Sequence, residues 1–493
     1  MAGPAAASAP PLRGAATHPL WADSSVADFD RELDLLAAAG ANTVRIDLGW
    51  STLEQDAKGQ RAQWYVDKAD IFFAHARERG LRPIVTFFTT PCWASSAPPD
   101  LKQGCAGAWW ERGVSLYPPS DPADLADAAA WVASRWGDDI AAIEIWNEPN
   151  YYHWFRSSEP AADYAALLRA AYGQIKQVEP DLPVIGPAML ASDGAFLNAL
   201  YGEGIGGHFD GLSLRPFNQG RDPYDSAVPP TGLSHSFLLG VPSIRDIMVA
   251  HGDGAKQMWF TELGWSSCAP GGTSSWCITP ELQARYVADA FRIIRDRWSF
   301  VASVSVYNLR NKGDDPSDRE SQMGLLHRDF TPKPAYASFS NVLAEMAAQP
   351  FPPDPPSPVT TDPVATPQPS HPGPGGRVPP PKPRDRKPPA LTRFAASPGK
   401  GGRMLAITYR LSEPAGVMLR LERATDRPGW AGLGRPALRR GRRGVNHVRL
   451  PLSGARPGRY RLSAYANDAA GNRSHARRAR FSVEARRVTG RSR

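Results

Sequence analysis

The sequence predicts an α/β fold in which a (β/α)8 TIM barrel is followed by a Pro-rich linker and a small all-β sandwich. Eight strand-like and eight helix-like segments alternate between about residues 15 and 346, which is typical of a parallel sheet that closes into a barrel. Prolines dominate residues 350–389, and a segment of that composition cannot bury a core. Beyond it, alternating segments joined by Gly, Pro and Asn turns predict a β-sandwich.

Each predicted strand is a short apolar or β-branched run bounded by turn-forming residues. In chain order the strands are residues 14–18, 43–48, 83–88, 143–148, 183–186, 211–214, 258–262 and 302–307. The predicted helices carry apolar residues at helical spacing, and Gly40 and Gly80 end the first two. In chain order they are residues 26–39, 66–79, 122–135, 161–178, 196–201, 243–250, 280–297 and 335–346.

Two of the predicted strands run directly into a glutamate, Glu148 and Glu262, and a Pro or Gly follows within two residues. In an α/β barrel the carboxyl ends of the strands carry the active-site groups. Two carboxyl groups brought together from different strands are what acid–base and nucleophilic attack at an acetal carbon requires. Taken alone, the run Asn147-Glu148-Pro149 is also compatible with a simple turn after a strand. The second glutamate, together with Arg45, favours a sugar-cleaving site.

Four motifs carry a family resemblance over about residues 15–345. They are Thr43-Val44-Arg45-Ile46-Asp47, Trp146-Asn147-Glu148-Pro149, Thr261-Glu262-Leu263-Gly264 and Thr331-Pro332-Lys333-Pro334-Ala335-Tyr336. With them the chain resembles the retaining glycoside hydrolases of clan A. This is the (β/α)8 group that includes the cellulase family five and the β-xylosidase and iduronidase family thirty-nine.

The resemblance implies a role for each motif residue in the hydrolysis of an O-glycosyl bond. Glu148 would be the general acid/base and Glu262 the nucleophile. Asn147 would contact the sugar 2-hydroxyl, and Arg45 would keep the nucleophile ionised, as a nearby cation does. His18 resembles a position that touches sugar hydroxyls, although a lone histidine is more often structural. Retention also requires the two carboxyl groups to stand about 5 to 5.5 Å apart.

Aromatic residues cluster after the predicted strands, where flat rings could stack on sugar faces. Trp50 and Trp265 are the stronger candidates because each follows an active-site strand directly, while packing between loops and barrel is the alternative for any one of them.

Three residues depart from the clan pattern. After strand six the chain reads Arg215-Pro216-Phe217, where the clan has a histidine and then a tyrosine that hydrogen-bonds the nucleophile. On strand eight, a tryptophan that floors the sugar subsite is replaced by Val306, with Tyr307 beside it. Arg215 could bind an acidic sugar or pair with a carboxylate in the site. The hydrolytic chemistry is compatible with these changes, whereas the identity of the substrate cannot be carried over from the clan.

Composition divides the chain into five segments. We expect an Ala/Pro-rich start (residues 1–14), the catalytic barrel (15–349), a disordered linker (350–390), a basic module (391–484) and a basic tail (485–493). The module resembles bacterial immunoglobulin-like or fibronectin-type domains. Residues 391–493 hold 24 Lys and Arg against 5 Asp and Glu, a net charge of +19, whereas residues 1–390 carry a net −11. This charge suggests contact with an anionic polymer or the cell wall, or else reflects Arg-rich composition alone.

Four cysteines fall as two local pairs, Cys92 with Cys105 and Cys268 with Cys277. Disulfides that staple long active-site loops are expected, and they suit an oxidising, extracellular setting. Metal binding is the alternative, but no histidines stand at ligand spacing. No apolar run is long enough to span a membrane, and residues 1–10 lack the regions of a signal peptide. From the cysteines, the linker and the C-terminal module, rather than from a signal peptide, we expect a secreted or cell-surface protein.

The sequence thus favours a monomeric retaining glycosidase that acts on a β-linked carbohydrate without a metal or cofactor. Two alternatives of a different class remain at this stage. One is a barrel that binds glycan with little or no turnover, and the other is a surface adhesin that acts through the basic module.

Overall fold

The structure is a computed structural model, and it describes residues 11–229, 231–269, 276–348, 389–398, 404–424, 430–432, 437–452, 457–467, 474 and 476–483. The chain divides into two compact units, residues 1–361 and residues 362–493. The predicted linker lies almost wholly outside the described residues.

The first unit contains a closed barrel of eight parallel strands. The strands are β1 (Leu12–Ala16), β2 (Thr43–Gly49), β3 (Arg82–Phe88), β4 (Ala142–Ile145), β5 (Val184–Leu190), β6 (Gly211–Arg215), β7 (Gln257–Leu263) and β8 (Val301–Val306). Each strand pairs with the next in the chain, and β8 pairs with β1. The predicted barrel is therefore confirmed.

A long α-helix follows every strand of the barrel, and the described loops contain two additional α-helices of one turn. They are α1 (Val26–Ala38), α2 (Trp50–Leu53), α3 (Gln63–Glu78), α4 (Pro99–Lys102), α5 (Pro122–Trp136), α6 (Pro160–Val178), α7 (Gly194–Gly202), α8 (Phe237–Ala250), α9 (Pro280–Arg297) and α10 (Pro334–Ala348). Polar residues cap several of them: Ser25 forms a capping box with Asp28, and Thr279 accepts from the Leu282 amide of α9.

The largest boundary errors of the sequence analysis involve proline. Helix α8 begins six residues earlier than predicted, because Ser236 caps it and Pro242 is accommodated inside the helix. Strand β5 continues four residues past the predicted end at Gly186, beyond Pro187. In both places the element continues through a proline that would usually interrupt it.

The barrel interior changes from apolar to polar near its carboxyl end. Thr86 of β3 and Thr261 of β7 both donate to the Glu144 carboxylate of β4, at 2.6 and 2.7 Å. Because β4 and β7 are not neighbours in the sheet, these side chains must meet inside the barrel. The surrounding core is apolar and lies between the strands and helices, with Phe72, Phe291 and Phe339 buried in it.

The second unit is built from antiparallel strands, so the predicted all-β character of the C-terminal region is confirmed. Its strands are β9 (Leu391–Pro398), β10 (Met404–Leu411), β11 (Ala415–Ala424), β12 (Trp430–Gly432), β13 (Ala437–Gly441), β14 (Gly444–Pro451), β15 (Gly458–Asn467) and β16 (Arg477–Val483). One sheet has the order β14-β10-β9, and the other has the order β12-β11-β15-β16 with β13 also on β11. The basic tail lies outside the described residues.

Both expected disulfides are present, one joining Cys92 to Cys105 and the other joining Cys268 to Cys277. They close segments in the loops after β3 and β7. Among the helices that the structure describes, none combines the length and the apolar composition needed to cross a membrane.

Candidate active site

The two glutamates reach the carboxyl end of the barrel in different ways. Glu262 lies within β7, as predicted. Glu148 lies three residues beyond the end of β4, in a turn where Trp146 and Glu148 have φ angles of 68° and 48°. Backbone hydrogen bonds from Trp146 to Phe87 and from Glu148 to Ala188 tie this turn to β3 and β5. Both glutamates are only 6% exposed.

The guanidinium group of Arg215, at the end of β6, contacts three carboxyl groups. Its Nη2 lies 2.9 Å from Glu144 Oε2, its Nε 3.4 Å from Glu262 Oε1, and its Nη1 3.7 Å from Glu148 Oε1. The side chain is fully buried. The sequence left two roles open for Arg215, binding of an acidic sugar and pairing with a carboxylate. In the structure its guanidinium group pairs with carboxylates and is not exposed to solvent.

Arg45 contacts only one glutamate of the pair. Its Nη2 lies 3.2 Å from Glu262 Oε1, and its Nη1 lies 2.5 Å from Asp47 Oδ1. The Asn147 side-chain oxygen accepts from Arg45 Nη2 at 3.3 Å and from Arg215 Nη1 at 2.6 Å. With its oxygen held in this way, Asn147 has its Nδ2 group available to donate to a ligand.

Two acidic residues of this cluster were not singled out from the sequence. Glu144 receives hydrogen bonds from Thr86, Thr261 and Arg215, and Asp47 bridges Arg45 and His18. The sequence pattern around each of these two residues could have identified it. Asp47 lies two positions after Arg45 in a strand and so on the same face, and Glu144 interrupts an apolar strand that faces the barrel interior.

Burial raises the pKa of Glu148 to about 8, and the negative charge of Glu262 adds to the rise while Arg215 opposes it. Burial also raises the pKa of Glu262, against the opposing charges of Arg215 and Arg45. Glu262 contacts two guanidinium groups and Glu148 only one, so the surrounding charges favour ionisation of Glu262 over ionisation of Glu148. Burial alone would raise the pKa of Asp47, but Arg45 and His18 hold it well below its usual range.

His18 and Tyr307 lie on the β1 and β8 side of the cluster. His18 Nδ1 is 2.8 Å from Asp47 Oδ2, which fixes its ring. Tyr307 is mostly buried, with its ring edge-on to both Phe217 and His18. Phe217 has no hydroxyl to offer the nucleophile. Glu262 is instead contacted by Arg45 and Arg215.

The two tryptophans favoured as sugar platforms do not line the site. Trp50 is fully buried in α2, and its indole N–H donates to Glu54 at 2.9 Å. Trp265 is buried as well, and its indole N–H donates to the Arg221 carbonyl at 2.9 Å. Both rings belong to the buried hydrophobic core of the first unit. This burial argues against the expected stacking role. Trp21, which is 40% exposed and stacked on His18, is a more exposed aromatic ring beside the site.

The chain has been compared with known families and structures. Residues 5–194 match the sequence model of the cellulase family, glycosyl hydrolase family 5. No curated protein sequence matches significantly.

Among solved structures, a family 39 glycoside hydrolase from Bacteroides cellulosilyticus is similar with a TM-score of 0.54 and 19% identity, over 88% of this chain and 80% of that one. A glucosidase from Croceicoccus marinus is similar with a TM-score of 0.51 and 14% identity, over 89% and 93% of the two chains. At such identities these structures establish the fold. The match to the cellulase model, together with the barrel, supports the prediction of a glycosidase. The predicted similarity to clan A is confirmed: the chain is similar to the cellulase family over residues 5–194 and to clan A glycosidases in fold.

Proposed function

We propose that the protein is a retaining glycoside hydrolase that cleaves a β-linked glycan or glycoside by double displacement. One observation carries the proposal. Glu148 and Glu262 contact the same buried guanidinium group, that of Arg215, while Arg45 contacts only Glu262 of these two glutamates. This asymmetry gives two chemically identical side chains opposite protonation states, which the reaction requires.

In the first step the Glu262 carboxylate attacks the anomeric carbon, and the C–O bond to the leaving group breaks. Glu148 gives its proton to the departing oxygen. Asn147, oriented by Arg45 and Arg215, donates from Nδ2 to a sugar hydroxyl. The products of this step are a glycosyl ester on Glu262, a free leaving group and an ionised Glu148.

In the second step water replaces Glu262 at the anomeric carbon. Forming the ester removes the negative charge of Glu262, which is one of the causes of the raised pKa of Glu148. The pKa of Glu148 therefore falls, so it can act as a base and take a proton from the attacking water. The Glu262 carboxylate is released, and the proton on Glu148 restores the starting state.

The first test is the release of chromophore from a panel of aryl β-glycosides by the wild type and by Glu262→Ala, with azide added to the variant. We expect the variant to lose activity by several orders of magnitude, because the nucleophile is absent. Azide should restore turnover and yield an α-glycosyl azide, since it attacks from the face that Glu262 occupied.

The matched control is Glu148→Ala, assayed in the same way. Azide should then attack the glycosyl ester on Glu262 and yield a β-glycosyl azide. Identical azide stereochemistry in the two variants would contradict the assignment of roles. Binding of glycans by the wild type, with no cleavage of aryl glycosides or polysaccharides, would instead favour the glycan-binding barrel.

The setting of the reaction is part of the proposal. The two disulfides are compatible with an oxidising, extracellular location. The net charge of +19 over residues 391–493 favours contact between the C-terminal module and an anionic polymer, such as an acidic polysaccharide of a cell wall. Residues 15–349 would then act as the catalytic domain and residues 391–484 as an attachment module.

A further inference from the structure

A strip of four aromatic rings runs outward from the barrel mouth along the loops after β3 and β4. Thr86 of β3 points into the barrel, where it donates to a buried carboxylate, so Phe88, two residues further along the same strand, faces the mouth. The ring centre of Phe88 lies 6.1 Å from that of Trp154, which lies 5.0 Å from that of His153, and His153 is 5.7 Å from Tyr151. This aromatic strip therefore connects the barrel mouth to the protein surface.

The outer end of the aromatic strip is open to solvent. Tyr151 is 46% exposed, and the next residue, Tyr152, is 65% exposed. Two adjacent tyrosines in this position leave apolar ring surface in contact with water, which is typical of a binding surface when it adjoins a candidate site. A tyrosine combines a flat apolar face with a hydroxyl group, and these features match the apolar face and the hydroxyl groups of a sugar ring.

The turn that carries these rings is fixed by hydrogen bonds. The Tyr151 amide donates to the Glu148 carbonyl at 2.9 Å, and the Trp154 amide donates to the Tyr151 carbonyl at 2.9 Å. The side chain of Asn150 bonds both the carbonyl and the amide of Leu190 in β5, each at 2.9 Å. A surface that is already held in one conformation loses little freedom when a ligand binds to it.

The aromatic strip lies on the side of the site where the leaving group departs. Glu148 precedes Tyr151 by three residues in the same turn, and in the proposed mechanism Glu148 gives its proton to the departing oxygen. Glu262 attacks from β7, which stands four strands away from β3 on the opposite side of the barrel. A leaving group next to Glu148 is therefore directed outward over the aromatic strip.

We propose that the aromatic strip, together with Tyr152, binds the leaving-group side of a β-linked oligosaccharide over at least two sugar units beyond the bond that is cleaved. The inference rests on the proposed glycosidase function, and it narrows the substrate class to glycan chains as opposed to simple glycosides. The length of the strip supports more than one unit, because its three ring-to-ring steps of 5.0 to 6.1 Å together exceed the span of a single sugar ring.

The test uses β-1,4-linked oligosaccharides of two to five glucose, mannose or xylose units, labelled with heavy oxygen at the reducing end. The label identifies the bond that is cleaved and therefore the number of sugar units that leave. The measured quantity is the ratio of kcat/KM for a leaving group of two or more units to kcat/KM for a leaving group of one unit. This ratio is compared for the wild type, the double variant Tyr151→Ala/Tyr152→Ala and the double variant Tyr151→Phe/Tyr152→Phe. Binding of the same oligosaccharides to Glu262→Ala, with and without the two alanine substitutions, is followed by calorimetry.

We expect the wild type to favour the longer leaving group by about tenfold to a hundredfold, the range that burial of an aromatic side chain supplies. The two alanine substitutions should bring the ratio close to one, whereas the two phenylalanine substitutions should retain most of it because the ring faces remain. Tyr224→Ala is the matched control. Tyr224 is similarly exposed, at 42%, and its ring lies beside Arg297 in the last turn of α9, so its replacement should leave the ratio unchanged.

The outcomes separate the two proposals. A ratio close to one in the wild type, or a high ratio that survives in Tyr151→Ala/Tyr152→Ala, overturns the binding surface and leaves the glycosidase intact. Binding of oligosaccharides that requires the two tyrosines but is never followed by cleavage overturns the glycosidase and leaves the surface as part of a glycan-binding barrel. Neither binding nor cleavage of any oligosaccharide overturns the binding surface, and the aryl glycosides of the first test then decide the glycosidase by themselves.

Discussion

Arg215 holds three buried carboxyl groups with a single side chain, and this depends on the shape of guanidinium. Its planar fork presents donors in several directions, so Glu144, Glu148 and Glu262 each meet a different nitrogen atom. A lysine at this position would offer one point charge and could not reach all three. The departure from the clan pattern at residue 215 is therefore part of the electrostatic design of this site.

The raised pKa of Glu148 predicts an alkaline limit to activity. Glu148 must be protonated to act as an acid, so kcat/KM should fall as the pH rises through about 8. The measurement is the pH dependence of kcat/KM for two aryl glycosides. One has a poor leaving group that needs a proton, and the other has a dinitrophenolate leaving group that departs without one. The alkaline limb should be present for the first substrate and weak or missing for the second.

An alkaline limb of equal depth for both substrates would assign it to a different group. Glu262→Gln gives a further check, because removing the charge of Glu262 should lower the pKa of Glu148. That pKa can be followed by NMR or infrared titration, which does not depend on turnover.

The residues that the sequence identified are those tied to a strand end by a motif. Glu148, Glu262, Asn147 and Arg45 meet in one cluster because parallel strands deliver their carboxyl ends to one side of the barrel. Trp50 was misplaced, since position after a strand does not fix the direction in which a loop side chain points.

At the scale of elements, the turn after β4 carries strain that a sequence pattern does not reveal. Trp146 and Glu148 both adopt positive φ angles, which cost about 1–3 kcal/mol each in a residue other than glycine. The sequence predicted a strand that continued to Glu148, whereas β4 ends at Ile145. The backbone bonds to Phe87 and Ala188 maintain this turn and aim Glu148 across the barrel mouth.

The loop after β3 offers a test of the disulfides. Replacing Cys92 and Cys105 by serine removes a link across 13 residues, and we expect a loss of roughly 3 kcal/mol in unfolding free energy. The matched comparison is the serine variant of Cys268 and Cys277, whose link spans 9 residues and should contribute somewhat less. Thermal or denaturant unfolding of the full chain measures both. Unchanged stability on adding a reductant would contradict the prediction.

At the scale of the whole molecule, the sequence identified the fold class because the barrel repeats its unit eight times and each repeat supports the others. Boundaries were less accurate: the predicted helix began after Pro242 and the predicted strand ended before Pro187, although both prolines lie inside α8 and β5. The compositional change near residue 350 separated an acidic part of the chain from a basic one, but composition alone names no partner for the basic part.

Removing residues 391–493 should separate turnover from attachment. We expect kcat/KM on an aryl glycoside to stay within about twofold of the full chain, because a domain with its own core keeps its site. Retention on an anionic polysaccharide matrix should be lost, and that of the full chain should weaken with salt. A neutral polysaccharide matrix is the control. Equal retention of the truncated and full-length proteins would remove the attachment role from the module.

The pairing of two arginines with four acidic side chains has a consequence for how charge is conserved during turnover. In the proposed reaction, Glu262 loses its negative charge when it becomes an ester, and Glu148 gains one when it gives up its proton. The total charge beside Arg45 and Arg215 is then the same before and after this step. The negative charge that moves from Glu262 to Glu148 stays next to the sugar ring, which develops positive charge in the transition state.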